Sequence, residues 1–169
     1  MKIILTPEQL RLTIQRLAHQ LTEEGLDFER TVFIGIQPRG IKFADEVVSH
    51  IKQLYPGENV QYGKLDITFY RDDVRNSIHI ANQTSMNHSI EGKTVILIDD
   101  VLYTGRTIRS ALDALLDFGR PAKVELCTLI DRRFSRELPI QPDYCGWTID
   151  SIVTQRVTVQ WDLEQVILH

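Results

Sequence analysis

Apolar residues recur at helical spacing near the start of the chain, where Leu10, Ile14, Leu17 and Leu21 share one face. Thr6-Pro7-Glu8-Gln9 precedes them and supplies an N-cap, a proline at the first helical position and a capping-box partner, while Gly25 supplies the stop. The period then changes. TVFIGI at 31–36 is an apolar run of the kind buried on both faces of a parallel sheet, GIQPRG at 35–40 is the turn after it, and 41–54 is a second amphipathic helix. VQYGKLDITFY at 60–70 alternates like a strand. From Arg71 to Lys93 apolar periodicity almost vanishes, which predicts a long loop.

Order returns with a strand at 94–98, a turn, a helix at 107–118 ended by Gly119 and Pro121, and a strand at 123–130. Residues 131–155 have little periodicity and are expected to form an irregular cap over the carboxyl ends of the strands. QRVTVQW at 155–161 reads as a final edge strand. Strands separated by helices predict an α/β fold, a mostly parallel central sheet flanked by helices. The 169 residues fit a single domain over 1–169, long enough to bury on the order of two-thirds of the unfolded surface.

Composition excludes more than it specifies. A net charge of −4 argues against general affinity for nucleic acid or membrane, so any RNA site has to be a local patch. Cys127 and Cys145 are too few for a disulfide framework and lack zinc spacing; Cys127, in an apolar run, is expected in the core. With no signal peptide and no run of membrane-spanning length, the sequence reads as cytoplasmic with no membrane partner.

The chemistry concentrates in VILIDDVLYTGRT at 95–107. A buried strand there ends in Asp99 and Asp100 and passes through Tyr103, Thr104, Gly105, Arg106 and Thr107 into a helix. Amide groups and hydroxyls at a helix N-terminus suit a phosphate. Paired carboxylates suit ribose hydroxyls or a hydrated magnesium ion. A phosphorylated ribose requires both. There is no GxxxxGK[ST] and no GxGxxG after a strand, which removes the P-loop and dinucleotide readings.

This segment resembles the phosphoribosyl pyrophosphate (PRPP) motif of the type I phosphoribosyltransferases. LDITFYRDD at 65–73, DDVLYTGRTIRSALDAL at 99–115, DFGRPAKVEL at 117–126 and RELPIQPDY at 136–144 are similar, more narrowly, to the PyrR family. That family couples uracil phosphoribosyltransferase activity to UMP-dependent binding of pyrimidine-operon mRNA. The resemblance implies the type I phosphoribosyltransferase fold, with a flexible lid loop at about 71–93 and a C-terminal hood at about 131–155. It also implies Mg2+ as cofactor, PRPP, uracil, UMP and pyrophosphate as ligands, and a homodimer or higher homo-oligomer.

The resemblance further implies site roles. Asp99 and Asp100 orient the ribose and are catalytic, with magnesium held mainly by the substrate. Residues 103–107 take the 5′-phosphate. Pro38, Arg39 and Gly40 form the pyrophosphate loop, and Arg71 is a second contact; the guanidinium fork suits phosphate oxygens. The same turn also reads as an ordinary strand-to-helix connection, and Asp72 and Asp73 as solvated loop charges. His79 and His88 read as exposed loop residues, since no metal-ligand spacing links them. In the hood, Ile130, Asp131 and Arg132 lie near the base, and Tyr144 either stacks on it or packs in the core.

Three functions stay open at the level of sequence. The first is transfer of the phosphoribosyl group of PRPP to uracil. The second is RNA-binding attenuation with little catalysis, for which Arg16, His19 and Arg136 are candidate contacts to pyrimidine-leader mRNA. The third is a purine-type phosphoribosyltransferase, because the PRPP motif does not choose the base. Against the RNA reading, 137–155 carries no Lys or Arg.

Overall fold

A computed structural model describes residues 1–23, 25–72 and 84–169. Asp73 and His79, with the middle of the expected lid, lie outside the described residues. The central sheet has five parallel strands in the order β3-β2-β4-β5-β6: β2 Thr31–Gln37, β3 Gln61–Asp66, β4 Thr94–Leu102, β5 Lys123–Arg133 and β6 Tyr144–Asp150. The helices are α1 Pro7–Leu21, α2 Gly40–Leu54 and α3 Arg106–Leu115. Side chains alternate across the pleat. Phe33, Ile96, Ile98, Cys127 and Leu129 pack against α1 and α2, whereas Val32, Ile34, Val95 and Leu97 pack against α3, so two apolar layers enclose the sheet.

The capping box at the start of α1 forms as expected: the Gln9 amide donates to Thr6 Oγ1 at 3.3 Å and the Thr6 amide to Gln9 Oε1 at 3.0 Å. The strand expected over 60–70 stops at Asp66, whose carboxylate accepts from both the amide and the hydroxyl of Thr68 and turns the chain into a short 3-10 turn at Thr68–Tyr70. The loop after it is not structureless throughout. Ser85 bridges to Lys64, and Ile90 is fully buried against the α3 layer.

Two expectations about the second half need correction. Residues 131–155 are not an irregular cap, since β5 continues to Arg133 and 144–150 form β6, the outermost strand of the central sheet. The strand at 157–160 is an edge strand of a different sheet. Here β1 Lys2–Leu5, β8 Gln165–Leu168 and β7 Val157–Gln160 pair antiparallel in the order β1-β8-β7. The two ends of the chain thus build a small second sheet that four-residue runs could not announce. No helix among the described residues is long and apolar enough to cross a membrane.

Candidate functional site

β4 runs on to Leu102, past the expected end at 98, so Asp99 and Asp100 sit inside a strand at the middle of the sheet. Both are nearly buried, at 5% and 9% exposure. The Asp100 amide donates to Asp99 Oδ1 at 3.0 Å and the Val101 amide to Asp100 Oδ1 at 2.7 Å. Burial pushes both carboxyls above the ordinary carboxylate range, and the charge on Asp100 pushes Asp99 further. Arg39 pulls both back, and Arg71 also pulls Asp99. Two adjacent carboxyls in such a place resist full ionisation until positive charge arrives.

The turn between β2 and α2 lies directly against this pair. The Gln37–Pro38 peptide bond is cis, and α2 starts at Gly40. A β-carbon on Gly40 would stand 2.8 Å from the Ile98 carbonyl oxygen and 2.9 Å from Asp99 Oδ1. Only glycine lets the loop approach this closely. Pro38 and Arg39 are exposed beside it.

On the other side of the acids, Gly105 is the N-cap of α3 at φ +93°, a left-handed conformation that glycine adopts without strain. Thr104 Oγ1 accepts from the Arg106 amide at 3.3 Å. The crossover from β5 to β6 supports the turn from behind: the Glu137 and Leu138 amides donate to the Thr104 carbonyl, and Leu138 and Ile140 pack at Gly105. Arg71 donates to Thr107 Oγ1 at 3.4 Å. The Arg106 guanidinium pairs with Glu137 at 2.5 Å and with Asp72 at 3.2 Å, and Arg109 reaches the same Asp72 oxygen at 3.0 Å. Asp99, Asp100, Arg39, Gly40, Arg71 and residues 103–107 therefore form one site at the carboxyl edge of the sheet, where parallel α/β sheets bind ligands.

The base-side expectations fare differently. Ile130 is fully buried, so its side chain belongs to the core. Asp131 accepts from Arg136 at 2.6 Å. Arg132 is 5% exposed, stacks over the Tyr103 ring at 3.9 Å and donates to Ser151 Oγ, the Ile152 carbonyl and the Gln155 carbonyl. It fixes the segment after β6. Tyr144 is not brought to that edge. It opens β6 beside Cys127, packs with the α1 and α2 layer, and faces Glu125; burial together with that carboxylate pushes its hydroxyl up to about 12. What the structure places beyond β6 instead is an exposed aliphatic pair, Ile152 and Val153.

The RNA candidates are not gathered into a free patch. Arg16 donates to the Gly146 carbonyl at 2.5 Å and the Cys145 carbonyl at 3.4 Å, covering the open edge of β6. Arg136 donates to the Tyr103 carbonyl at 2.6 Å as well as pairing with Asp131. Arg16 makes these contacts while staying exposed, Arg136 is half-buried, and His19 is exposed.

Residues 2–164 match the family model described as the phosphoribosyl transferase domain. The chain belongs to the phosphoribosyltransferase family. Within it, the chain is 46% identical over 161 residues to the bifunctional protein PyrR of Haemophilus ducreyi, covering 94% of this chain and 89% of that one. It is 45% identical to the bifunctional protein PyrR 1 of Lactiplantibacillus plantarum, with 89% and 84% covered. These identities place this phosphoribosyltransferase in the PyrR group. In fold it is similar to a hypoxanthine phosphoribosyltransferase of Staphylococcus aureus, with a TM-score of 0.74 at 22% identity over 98% of this chain and 90% of that one. The corresponding enzyme of Trypanosoma cruzi gives 0.72 at 20% identity, over 99% and 95%.

Proposed function

We propose that this phosphoribosyltransferase transfers the phosphoribosyl group of PRPP to uracil, releasing pyrophosphate and forming UMP with inversion at the anomeric carbon. The observation that carries the reading is the buried Asp99–Asp100 pair set between the Gly40 turn and the 103–107 turn. The 5′-phosphate rests on residues 103–107 at the N-terminus of α3, where dipole and amides favour an anion. Asp99 and Asp100 accept hydrogen bonds from the 2′ and 3′ hydroxyls. As the bond to pyrophosphate breaks, positive charge grows on the ribose ring, and the two carboxylates favour it. Arg39 and Arg71 receive the leaving group, while uracil lies towards Ile152 and Val153, its polar edge near Asp131 and Arg132.

Among the described residues, no cluster of three or more His, Cys, Asp or Glu is placed to hold a metal ion. The two adjacent carboxylates fit an ion that takes most of its ligands from PRPP and water, with Asp99 or Asp100 completing the set. Bound in that way, magnesium neutralises charge on the leaving pyrophosphate.

The test is pyrophosphate release, which should require uracil, PRPP and magnesium together. Release with hypoxanthine in place of uracil overturns the choice of base. A second reading, nucleotide-dependent binding of pyrimidine-leader mRNA, is supported by the relatives' designation as bifunctional and weakened by the part-buried engagement of Arg136 with Tyr103 and Asp131. RNA retention that requires UMP and falls steeply with salt is its test.

A further inference from the structure

The segment 151–155, which carries the exposed Ile152 and Val153, follows β6 and contains no buried residue. Apolar burial therefore does little to fix it. Its internal bonds are local: the Gln155 amide donates to the Ile152 carbonyl and the Ile152 amide to Gln155 Oε1, each at 3.0 Å. Arg132, near the end of β5, ties this turn to the body of the protein. Its Nε donates to Ser151 Oγ at 2.9 Å, and its Nη2 donates to the Ile152 and Gln155 carbonyls at 3.3 and 2.8 Å. The same guanidinium lies over the Tyr103 ring, 3.9 Å from its centroid, and the Tyr103 carbonyl accepts from Arg136 at 2.6 Å. Tyr103 opens the phosphate turn. These partners of Arg132 are all neutral: a hydroxyl, two carbonyls and a ring. A buried cation among neutral groups costs desolvation that an apolar side chain of similar size avoids, so packing alone does not account for it. What the planar fork adds is a rigid link from a ring on one element to three acceptors on another.

We propose that Arg132 is a positioning residue for the base: it locks the segment 151–155 to the phosphate turn through Tyr103, and so sets the separation between the base-side aliphatics and the residues that take the 5′-phosphate. The inference rests on the reading of this site as a phosphoribosyltransferase site with uracil towards Ile152 and Val153. A nucleotide spans the link, with its base at one end and its phosphate at the other. So does the transition state. A loosened link therefore weakens binding of the whole nucleotide and misplaces the incoming base, while the contacts made by the sugar phosphate alone stay in place. Ser151 offers a mild way to loosen it, because its hydroxyl is one of the three acceptors and belongs to neither the acid pair nor the phosphate turn.

The test uses the full chain with Arg132→Gln, Ser151→Ala, Tyr103→Leu and the double variant Arg132→Gln with Tyr103→Leu. Calorimetric affinity for UMP and for ribose 5-phosphate is measured alongside KM for uracil. Arg132→Gln should weaken UMP binding and raise KM for uracil about tenfold, the scale of hydrogen bonds lost from a charged donor. Ser151→Ala should do the same about threefold. Ribose 5-phosphate affinity should change by less than about twofold in both, because its contacts lie apart from the substitutions. Tyr103→Leu should weaken UMP binding by itself and add nothing in the Arg132→Gln background. If Arg132→Gln does not fold, Ser151→Ala decides alone. Equal losses for UMP and ribose 5-phosphate, wild-type UMP affinity in Ser151→Ala, or an undiminished Tyr103→Leu effect in the Arg132→Gln background overturns the proposal while leaving the phosphoribosyltransferase reading in place. A wild-type protein that binds IMP and not UMP overturns the choice of base, and the same comparison then runs on IMP. One that binds neither nucleotide removes the reading and this inference with it.

Discussion

Replacing Gly40 by Ala adds one methyl group at the most crowded junction of the site. Its nearest neighbours would be the Ile98 carbonyl oxygen at 2.8 Å, Asp99 Oδ1 at 2.9 Å and Asp99 Cα at 3.0 Å, against an ordinary contact that begins at 3.4 Å. The chain must yield by about 0.6 Å, the difference between 3.4 and 2.8 Å, and two of the three neighbours are backbone atoms in a central strand. Overpacking of this kind costs about 1–3 kcal/mol. At the middle of that range a chain of this length loses roughly 4–8 °C in Tm. Because the displaced group is Asp99, turnover should also fall, by about ten- to a hundredfold for a sub-ångström misplacement. Helix propensity alone predicts the opposite sign, since Gly40 opens α2 and Ala is the better helix former by about 1 kcal/mol. Differential scanning calorimetry with a pyrophosphate-release assay decides between them. Gly57→Ala is the control, having nothing within 4 Å of the added carbon. A Gly40→Ala protein that melts at or above the wild-type temperature and turns over normally would refute the argument.

Replacing Asp99 and Asp100 together by Asn should reduce turnover by orders of magnitude without unfolding the chain; near-normal kcat contradicts their assigned role. The same carboxyls set a pH dependence. Their folded pKa values lie above the ordinary 3.8, so between 3.8 and the raised values the folded state holds more protons than the unfolded one, and stability falls as pH rises through that window. The double Asn variant should flatten that fall in chemical denaturation across pH, and an unchanged slope counts against burial as the cause. Arg39→Ala should weaken PRPP and pyrophosphate binding more than UMP binding in calorimetry; equal losses for all three point to a structural role.

The sequence made the central sheet legible because its strands and helices carry strong local signals. A capped, periodic α1, the apolar runs of β2 and β4, and the glycine turns around Arg39 and Gly105 each follow from residues close together in the chain. The small sheet escaped because β1 and β8 are four-residue strands from opposite ends of the chain, and their pairing is invisible to any local window. β6 escaped for another reason. Its alternation is interrupted at Gly146, where a β-carbon would meet the Leu129 carbonyl oxygen at 2.4 Å and Thr13 of α1 at 2.9 Å, so close packing required the one residue that reads as a break. In the site, the acid pair, the two turns, Arg39 and Arg71 lie together at one edge as expected, whereas Tyr144 lies elsewhere. Arg16, though still exposed, and the half-buried Arg136 each donate to carbonyl groups of distant residues. Nothing in local spacing reports where a flexible guanidinium ends.

The central claim is tested most directly by a crystal structure of the protein with UMP bound. The account predicts the phosphate on the amides and hydroxyls of residues 103–107 and both ribose hydroxyls within hydrogen-bond distance of Asp99 and Asp100. UMP seated elsewhere, with those two carboxylates facing solvent alone, would contradict it.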